Sequence, residues 1–244
     1  MEISGPAALA LNSLSQAQIE FLESIPKAEL HAHLNGSIPL TTLKELASDY
    51  LVTMAARGTT SPNAVSNEEI KLGIEELATG PSLNNIADFF LLFPAIYALT
   101  STPSTLARAT RAVLAAFLDG DIPQCHYLEL RTTPRQTESM NREEYLRVVL
   151  GEMKRAGYTR EQVSLIISFD RRMNKDVLGE CVNVACKLRQ EGEWVVGVDL
   201  CGDPTVGDVG EFEPYFERVK NAGLKLTVHI AEVHSILCLF SWLV

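Results

Sequence analysis

Two histidines separated by a single residue, His31 and His33, are the first group in this sequence that could do chemistry. They end a short segment, residues 26–33, in which polar and apolar residues alternate. Side chains two positions apart on a strand leave the same face, so both imidazoles would point into one space. Neutral imidazole is the commonest metal ligand, and the pair could hold one ion. Asn35 then places an amide beside such a site.

A second cluster lies much later in the chain, where His229 ends the apolar segment 224–228 and Glu232 follows three residues on. The alternative for the first pair alone is two ordinary histidines on an edge strand, and the second cluster favours a metal site instead. His126 opens another strand with no other ligand type in register, which favours a structural role. His234 is a less favoured alternative that could replace a missing metal ligand.

The elements that must position these residues are five β strands separated by helices. Alternating or apolar segments predict strands at 26–33, 126–132, 163–169, 194–200 and 224–229. Helical spacing predicts helices at 13–24, 39–50, 68–78, 83–99, 104–119, 142–156, 174–190 and 211–222, with a loop at 53–67. Every polar cluster falls at the C-terminal end of a strand. This pattern predicts an α/β fold with a parallel sheet, either a β/α barrel or a doubly wound sheet.

Composition narrows the class of protein. The formal net charge of −10 argues against a surface for nucleic acid or anionic membranes, which needs a basic face. The five cysteines lack the spacing of a disulfide framework or a zinc ribbon. The N-terminus has no signal peptide pattern, and the apolar segment 236–244 is too short to span a bilayer. We therefore expect a soluble cytoplasmic protein with reduced thiols.

Taken in order, five motifs resemble the adenosine/AMP deaminase family of metal-dependent hydrolases. They are PKAELHAHLNGS at 26–37, LRTTPR at 130–135, DRR at 170–172, GDPTVG at 202–207 and HIAE at 229–232. Within the family they are most similar to the adenosine-deaminase-like branch, which acts on N6-methyl-AMP. The resemblance runs from about residue 20 to residue 233, and several ordered motifs make it far more specific than the histidine pair alone.

The resemblance implies a TIM barrel with one zinc ion per chain and a hydrolytic deamination of a 6-aminopurine nucleotide or nucleoside. N6-methyl-AMP to IMP is the first expectation and adenosine to inosine the second. The implied zinc ligands are His31, His33 and His229, and Glu232 is the implied proton donor to the purine ring. The implied substrate contacts are His33, Asn35, Thr132, Thr133, Pro134, Arg135, Asp170 and the backbone of Gly202. We also expect a monomer.

The residue types suit that reaction. Activated water would add to C6 of the purine while Glu232 protonates the adjacent ring nitrogen, and ammonia or methylamine would then leave C6. Arg131 and Arg135 have the planar fork that fits phosphate, which favours a nucleotide over a nucleoside. The other class of zinc deaminase uses His-X-Glu and Pro-Cys-X-X-Cys signatures, and this sequence has neither.

The sequence also departs from the family pattern. The family continues past its third histidine with another histidine and an Asp-Asp pair that supplies the last zinc ligand, whereas no aspartate follows Asp208 here. We expect about five of eight βα units in 1–233, an apolar tail unlike the family at 234–244, and a role as a non-catalytic splice product or gene-model fragment as the alternative. Tyr97 stands where the branch is expected to have a histidine.

Overall fold

The computed structural model describes residues 5–57, 68–81 and 86–230. The strands are β1 (Ala28–His33), β2 (Tyr127–Thr132), β3 (Val163–Asp170), β4 (Val195–Cys201) and β5 (Lys225–Val228). The helices are α1 (Gly5–Asn12), α2 (Gln16–Ser24), α3 (Leu40–Arg57), α4 (Glu68–Thr79), α5 (Ile86–Leu91), α6 (Phe93–Leu99), α7 (Pro103–Leu118), α8 (Arg142–Arg155), α9 (Lys175–Gln190) and α10 (Glu213–Asn221). Short 3-10 turns lie at Leu34–Gly36 and Val209–Phe212.

The five strands form one sheet in the order β1-β2-β3-β4-β5, and every neighbouring pair is parallel. The register pairs Leu128 with Val163 and Asp199 with Thr227. Helices connect consecutive strands, as parallel strands require. The predicted parallel sheet of βα units is confirmed, and it has the form of a five-stranded half-barrel.

The burial of each strand follows its place in the sheet. β3 lies in the middle, and seven of its eight residues are buried, which explains its nearly continuous apolar sequence. Among the described elements β1 and β5 each pair with a single neighbour, and they are more exposed. The core between sheet and helices includes Phe169 of β3 and Tyr145 of α8, both fully buried. No helix within the described ranges is both long and apolar enough to cross a membrane.

Two of the predicted helices differ from the structure, and α1 was not predicted. The segment 83–99 was expected to be one helix, but α5 and α6 are separated at Leu92 because Pro94 lies in the first turn of α6. Proline has no N–H to donate, so it is tolerated at a helix start and interrupts a continuing helix. α3 continues to Arg57 beyond the expected end at residue 50. The rest of the predicted loop, 58–67, lies outside the described residues.

Polar caps fix where several helices begin, and thereby the loops that leave the strand ends. The side chain of Asn141 accepts a hydrogen bond from the Glu144 N–H at 2.9 Å, and the Glu144 carboxylate accepts one from the Asn141 N–H at 2.8 Å. This reciprocal pair starts α8 directly after the loop that follows β2. Asn174 starts α9 in a similar way, after the loop that follows β3.

Replacing the cap of α8 should cost a measurable amount of stability. We expect Asn141→Ala to lower the free energy of unfolding by about 1 kcal/mol, because the first turn of α8 then loses a partner for a backbone N–H. Asn141→Asp keeps an acceptor oxygen and should change stability by only a few tenths of a kcal/mol. Urea unfolding followed by circular dichroism measures both. Equal losses in the two variants would show that the cap contributes nothing specific.

Candidate metal centre and active site

Three histidines from the two outermost described strands meet at one point. His31 and His33 lie at the end of β1, and His229 directly follows β5. The Nε2 atom of His229 is 2.8 Å from Nε2 of His31 and 3.0 Å from Nε2 of His33. One nitrogen of each ring lies within 4.8 Å of the other two. The structure therefore brings together all three residues predicted as metal ligands.

The protonation of the cluster suits metal coordination. Burial, followed by the charges of His229 and Arg131, lowers the pKa of His33 to about 4. Burial and the nearby charge of Arg131 also lower the pKa of His31 below its ordinary value. Both rings are thus neutral at pH 7, and neutral imidazole is the form that binds a metal. Three converging imidazole nitrogens are a ligand set that suits zinc.

Asp199 orients the third histidine. Its Oδ1 atom is 3.0 Å from Nδ1 of His229, and the Leu200 carbonyl is 3.1 Å from the same nitrogen. With acceptors at Nδ1, the ring proton belongs there, and Nε2 faces the cluster with its lone pair. Asp199 is fully buried on β4. The sequence alone is equally consistent with Asp199 capping the next helix. A charged residue on the otherwise apolar strand β4 was the feature of the sequence that could have indicated a buried functional role.

Arg131 is not available to bind a phosphate, so that prediction is wrong. The residue is 4% exposed. Its Nη1 atom lies 3.3 Å from Asp199 Oδ1, and its Nη2 donates to the Leu30 carbonyl. Side chains along β2 alternate between the two faces of the sheet, and Arg131 lies on the face that carries Asp199. In the register of the sheet, Arg131 pairs with His33 of β1.

Arg135 remains a candidate for anion binding at the rim. The carbon of its guanidinium lies 3.6 Å from the centre of the Tyr97 ring, a cation–π contact. Both residues are partly exposed. Burial raises the pKa of Tyr97 despite the opposing charge of Arg135, so its hydroxyl is protonated at neutral pH. Tyr97, which stands where the family branch is expected to have a histidine, therefore packs against the Arg135 guanidinium.

Asp170 and Gly202 lie against each other at the ends of β3 and β4. Gly202 has φ +97°, and a Cβ atom there would be 2.6 Å from Asp170 Oδ1, so only glycine fits. Arg172 donates to both carboxylate oxygens, from Nε at 2.9 Å and from Nη2 at 2.6 Å. Burial opposes ionisation of Asp170, but the hydrogen bonds from Arg172 outweigh it and lower its pKa. The carboxylate is therefore charged and held in place.

Asn35 and Thr132 lie in a buried network behind the histidines. The Asn35 amide donates to the Thr100 hydroxyl at 3.3 Å and accepts from the Tyr145 hydroxyl at 3.3 Å. The hydroxyls of Thr132 and Tyr145 share a hydrogen bond of 2.9 Å. This network ties the turn after His33 to β2. Substrate contact by Asn35 and Thr132 stays a prediction, and their burial favours a supporting role.

The remaining predicted site residues divide into two groups. The hydroxyl of Thr133 is 3.8 Å from the Cys201 sulfur at the same end of the sheet, and Pro134 is buried beside it in sequence. Glu232 and His234 lie outside the described residues. The roles predicted for Thr133, Pro134 and Glu232 stay predictions.

Comparison with known proteins identifies the family. The model of the family described as adenosine deaminase matches residues 26–239. The chain belongs to the adenosine deaminase family. The adenosine deaminase-like protein of Drosophila pseudoobscura pseudoobscura is 35% identical over 217 residues, covering 88% of this chain and 59% of that protein. Human N6-methyl-AMP deaminase is 34% identical over 221 residues, covering 88% and 56%.

Solved structures agree with this membership of the adenosine deaminase family. The crystal structure of Arabidopsis ADAL complexed with IMP superposes with a TM-score of 0.69 and 32% identity, covering 88% of this chain and 60% of that one. The predicted barrel type of fold is thus confirmed for the five described strands. This member of the family spans less than two thirds of the length of these relatives.

The three histidines should bind zinc as one unit. We expect His31→Ala, His33→Ala and His229→Ala each to weaken zinc binding by more than about 100-fold, beyond the loss expected for an outer partner. His126→Ala is the matched control, because its ring is exposed, accepts a long hydrogen bond from the Lys27 N–H, and is not part of the histidine cluster. Competition with a chromogenic chelator measures the affinities. A similar loss in the His126 variant would contradict the assignment.

Proposed function

We propose that this chain carries the metal centre of a zinc-dependent hydrolytic deaminase that acts on a 6-aminopurine nucleotide. N6-methyl-AMP, converted to IMP, is the proposed substrate, and adenosine is the next. The observation that carries the proposal is the convergence of His31, His33 and His229 at Nε2 distances of 2.8 and 3.0 Å. The human relative named N6-methyl-AMP deaminase supports the substrate class.

One zinc ion per chain would be held by His31, His33 and His229. When bound, such an ion supplies Lewis-acid activation of water, lowering its pKa to about 7. The chain prepares the site by keeping both β1 histidines neutral through burial. Asp199 holds the ring of His229 with Nε2 toward the other two histidines. The donor set thus fits the proposed metal.

Other residues of the chain would bind the nucleotide and move the proton. We propose Glu232 as the donor of a proton to the ring nitrogen next to C6, since it follows the third ligand by three residues. The charged carboxylate of Asp170 and the backbone of Gly202 offer an acceptor and a close approach for the base. Arg135 would pair with a 5′-phosphate through its planar fork. The complex of Arabidopsis ADAL with IMP supports a nucleotide ligand.

We further propose that the protein works as a cytoplasmic monomer on a small-molecule substrate. The cysteines in the described part of the chain, Cys125, Cys181, Cys186 and Cys201, are all unpaired, which suits a reducing compartment. The formal net charge of −10 disfavours binding to nucleic acid.

The reaction is tested by measuring methylamine and ammonia release from N6-methyl-AMP, AMP and adenosine. We expect zinc-dependent release of methylamine from N6-methyl-AMP and a loss of at least 100-fold in Glu232→Gln, which has the same shape but no acidic proton to donate. A soluble, zinc-loaded chain without turnover would contradict activity of this chain. It would favour the alternative of a non-catalytic product.

Arg135 should separate nucleotides from nucleosides. We expect Arg135→Gln to raise KM for N6-methyl-AMP roughly 10- to 100-fold, because a charge-assisted hydrogen bond contributes about 1.5–3 kcal/mol. KM for adenosine should stay unchanged, and Arg135→Lys should recover part of the loss. Steady-state kinetics on both substrates measure the ratio. An equal change for adenosine would exclude a specific phosphate contact.

A further inference from the structure

Two buried arginines have no part in the proposed reaction. Arg131 lies on β2 and Arg171 directly follows β3, and they are 4% and 5% exposed. Within the described part of the chain, the Nε atom of each is buried without a hydrogen-bond partner. Burying a guanidinium with incomplete hydrogen bonding is unfavourable. A buried arginine of this kind calls for a function that offsets the cost.

Both side chains reach the third histidine of the cluster, by different routes. Arg131 Nη1 lies 3.3 Å from Asp199 Oδ1, the same oxygen that lies 3.0 Å from His229 Nδ1. Arg171 Nη2 donates to the backbone carbonyl of His229 at 3.0 Å. Arg131 therefore acts on the His229 imidazole through the Asp199 carboxylate, whereas Arg171 acts on the main chain of His229.

His229 depends on such contacts more than the other two ligands do. His31 and His33 lie within β1, whereas His229 follows the four-residue strand β5. In the described sheet β5 pairs with β4 alone, and the His229 N–H donates to the Leu200 carbonyl at 2.8 Å. A backbone hydrogen bond fixes the main chain at His229 but does not by itself set the rotamer of the ring. Side-chain contacts must set its direction.

We propose that Arg131 and Arg171 are positioning residues that fix His229 for metal binding. Arg131 also donates to the carbonyl of Leu30, the residue before His31. The same guanidinium thus links β1 to the carboxylate that orients the histidine after β5. Arg171 fixes the backbone from which that histidine projects. The inference rests on the metal centre of the proposed function and needs no turnover.

The fork of the guanidinium is the property that lysine cannot replace. Arg131 contacts Leu30 and Asp199 with two different nitrogens, whereas a lysine ammonium is a single point of charge. Arg131→Lys therefore keeps the charge opposite Asp199 and loses the bridge. Arg131→Met leaves the Asp199 carboxylate buried with a weaker set of partners and can prevent folding. The double variant Arg131→Met/Asp199→Asn removes both charges and serves where a single variant does not fold.

Two measurements on the purified chain test the proposal. Competition with a chromogenic chelator gives the zinc affinity, and long-range ¹H–¹⁵N NMR of the metal-free protein gives the protonated nitrogen of each histidine ring. We expect Arg131→Lys to lower zinc affinity about 10- to 100-fold. In that variant the His229 ring should change from the Nδ1–H form to a mixture of both forms. The double variant should give the same mixture.

Arg171→Lys should lower zinc affinity as well but leave His229 in the Nδ1–H form, because it acts on the backbone. Arg111→Lys is the matched control, since Arg111 donates from Nε and Nη2 to the buried carboxylate of Glu152, between α7 and α8. The control should change neither zinc affinity nor the ring proton. Circular dichroism and urea midpoints check that each variant is folded.

The results separate this inference from the proposed function. Zinc affinity within twofold of the unmodified chain and an unchanged ring proton in folded Arg131→Lys would overturn the role of Arg131. Unchanged zinc affinity in Arg171→Lys would overturn that of Arg171. If the unmodified chain binds no zinc, the proposed deaminase centre fails and positioning for a metal fails with it. Zinc binding with the expected variant effects but no turnover would support the positioning role and contradict only the activity.

Discussion

The curvature of the parallel sheet is the constraint on which the candidate site depends. Neighbouring strands lie about 4.8 Å apart, so β1 and β5 would be separated by roughly 19 Å in a flat five-stranded sheet. Yet the rings of His31 and His229 approach to 2.8 Å between nitrogens. The sheet must therefore bend inward, and Gly197 of β4 allows the neighbouring strand to come close. A Cβ on Gly197 of β4 would lie 2.8 Å from the Lys225 carbonyl of β5.

Bending the sheet also buries the charges of Arg131 and Asp199. Their arrangement follows from the balance between mutual attraction and the cost of desolvation. The Arg131–Asp199 pair is almost completely excluded from water. A buried ion pair gains about as much from attraction as it loses in desolvation, so it adds little net stability. Its orientation is nevertheless well defined, because each carboxylate oxygen has a set neighbour: His229 and Arg131 at one, Ser168 at the other. The pair serves the geometry of the third histidine better than it serves the stability of the fold.

The sequence was sufficient for features that depend on local pattern and failed for those that depend on curvature. The strands follow from periodicity, and polar residues at strand ends mark one edge of the sheet. The grouping of the three histidines came from the resemblance to the family, because their meeting depends on the bend of the sheet. The partner of a buried charge does not, because Asp199 and Arg131 come from strands separated by β3 and meet only when the sheet bends. The break between α5 and α6 was visible as Pro94 but competed with a strong apolar pattern.

The arginines near the strand ends divide into two sets by exposure, and only the exposed set could meet the nucleotide proposed as the substrate. Arg131 and Arg171 are enclosed, and they contact Asp199 and the His229 carbonyl beside the histidine cluster. Arg135 and Arg172 lie at the rim, one stacked on Tyr97 and the other paired with Asp170. Because Arg172 already holds Asp170 as an ordered anion against Gly202, a ligand that donates to this carboxylate meets an acceptor whose orientation is set beforehand. Such preorganisation reduces the ordering cost of binding, and the Arg172 guanidinium adds positive charge to the same rim.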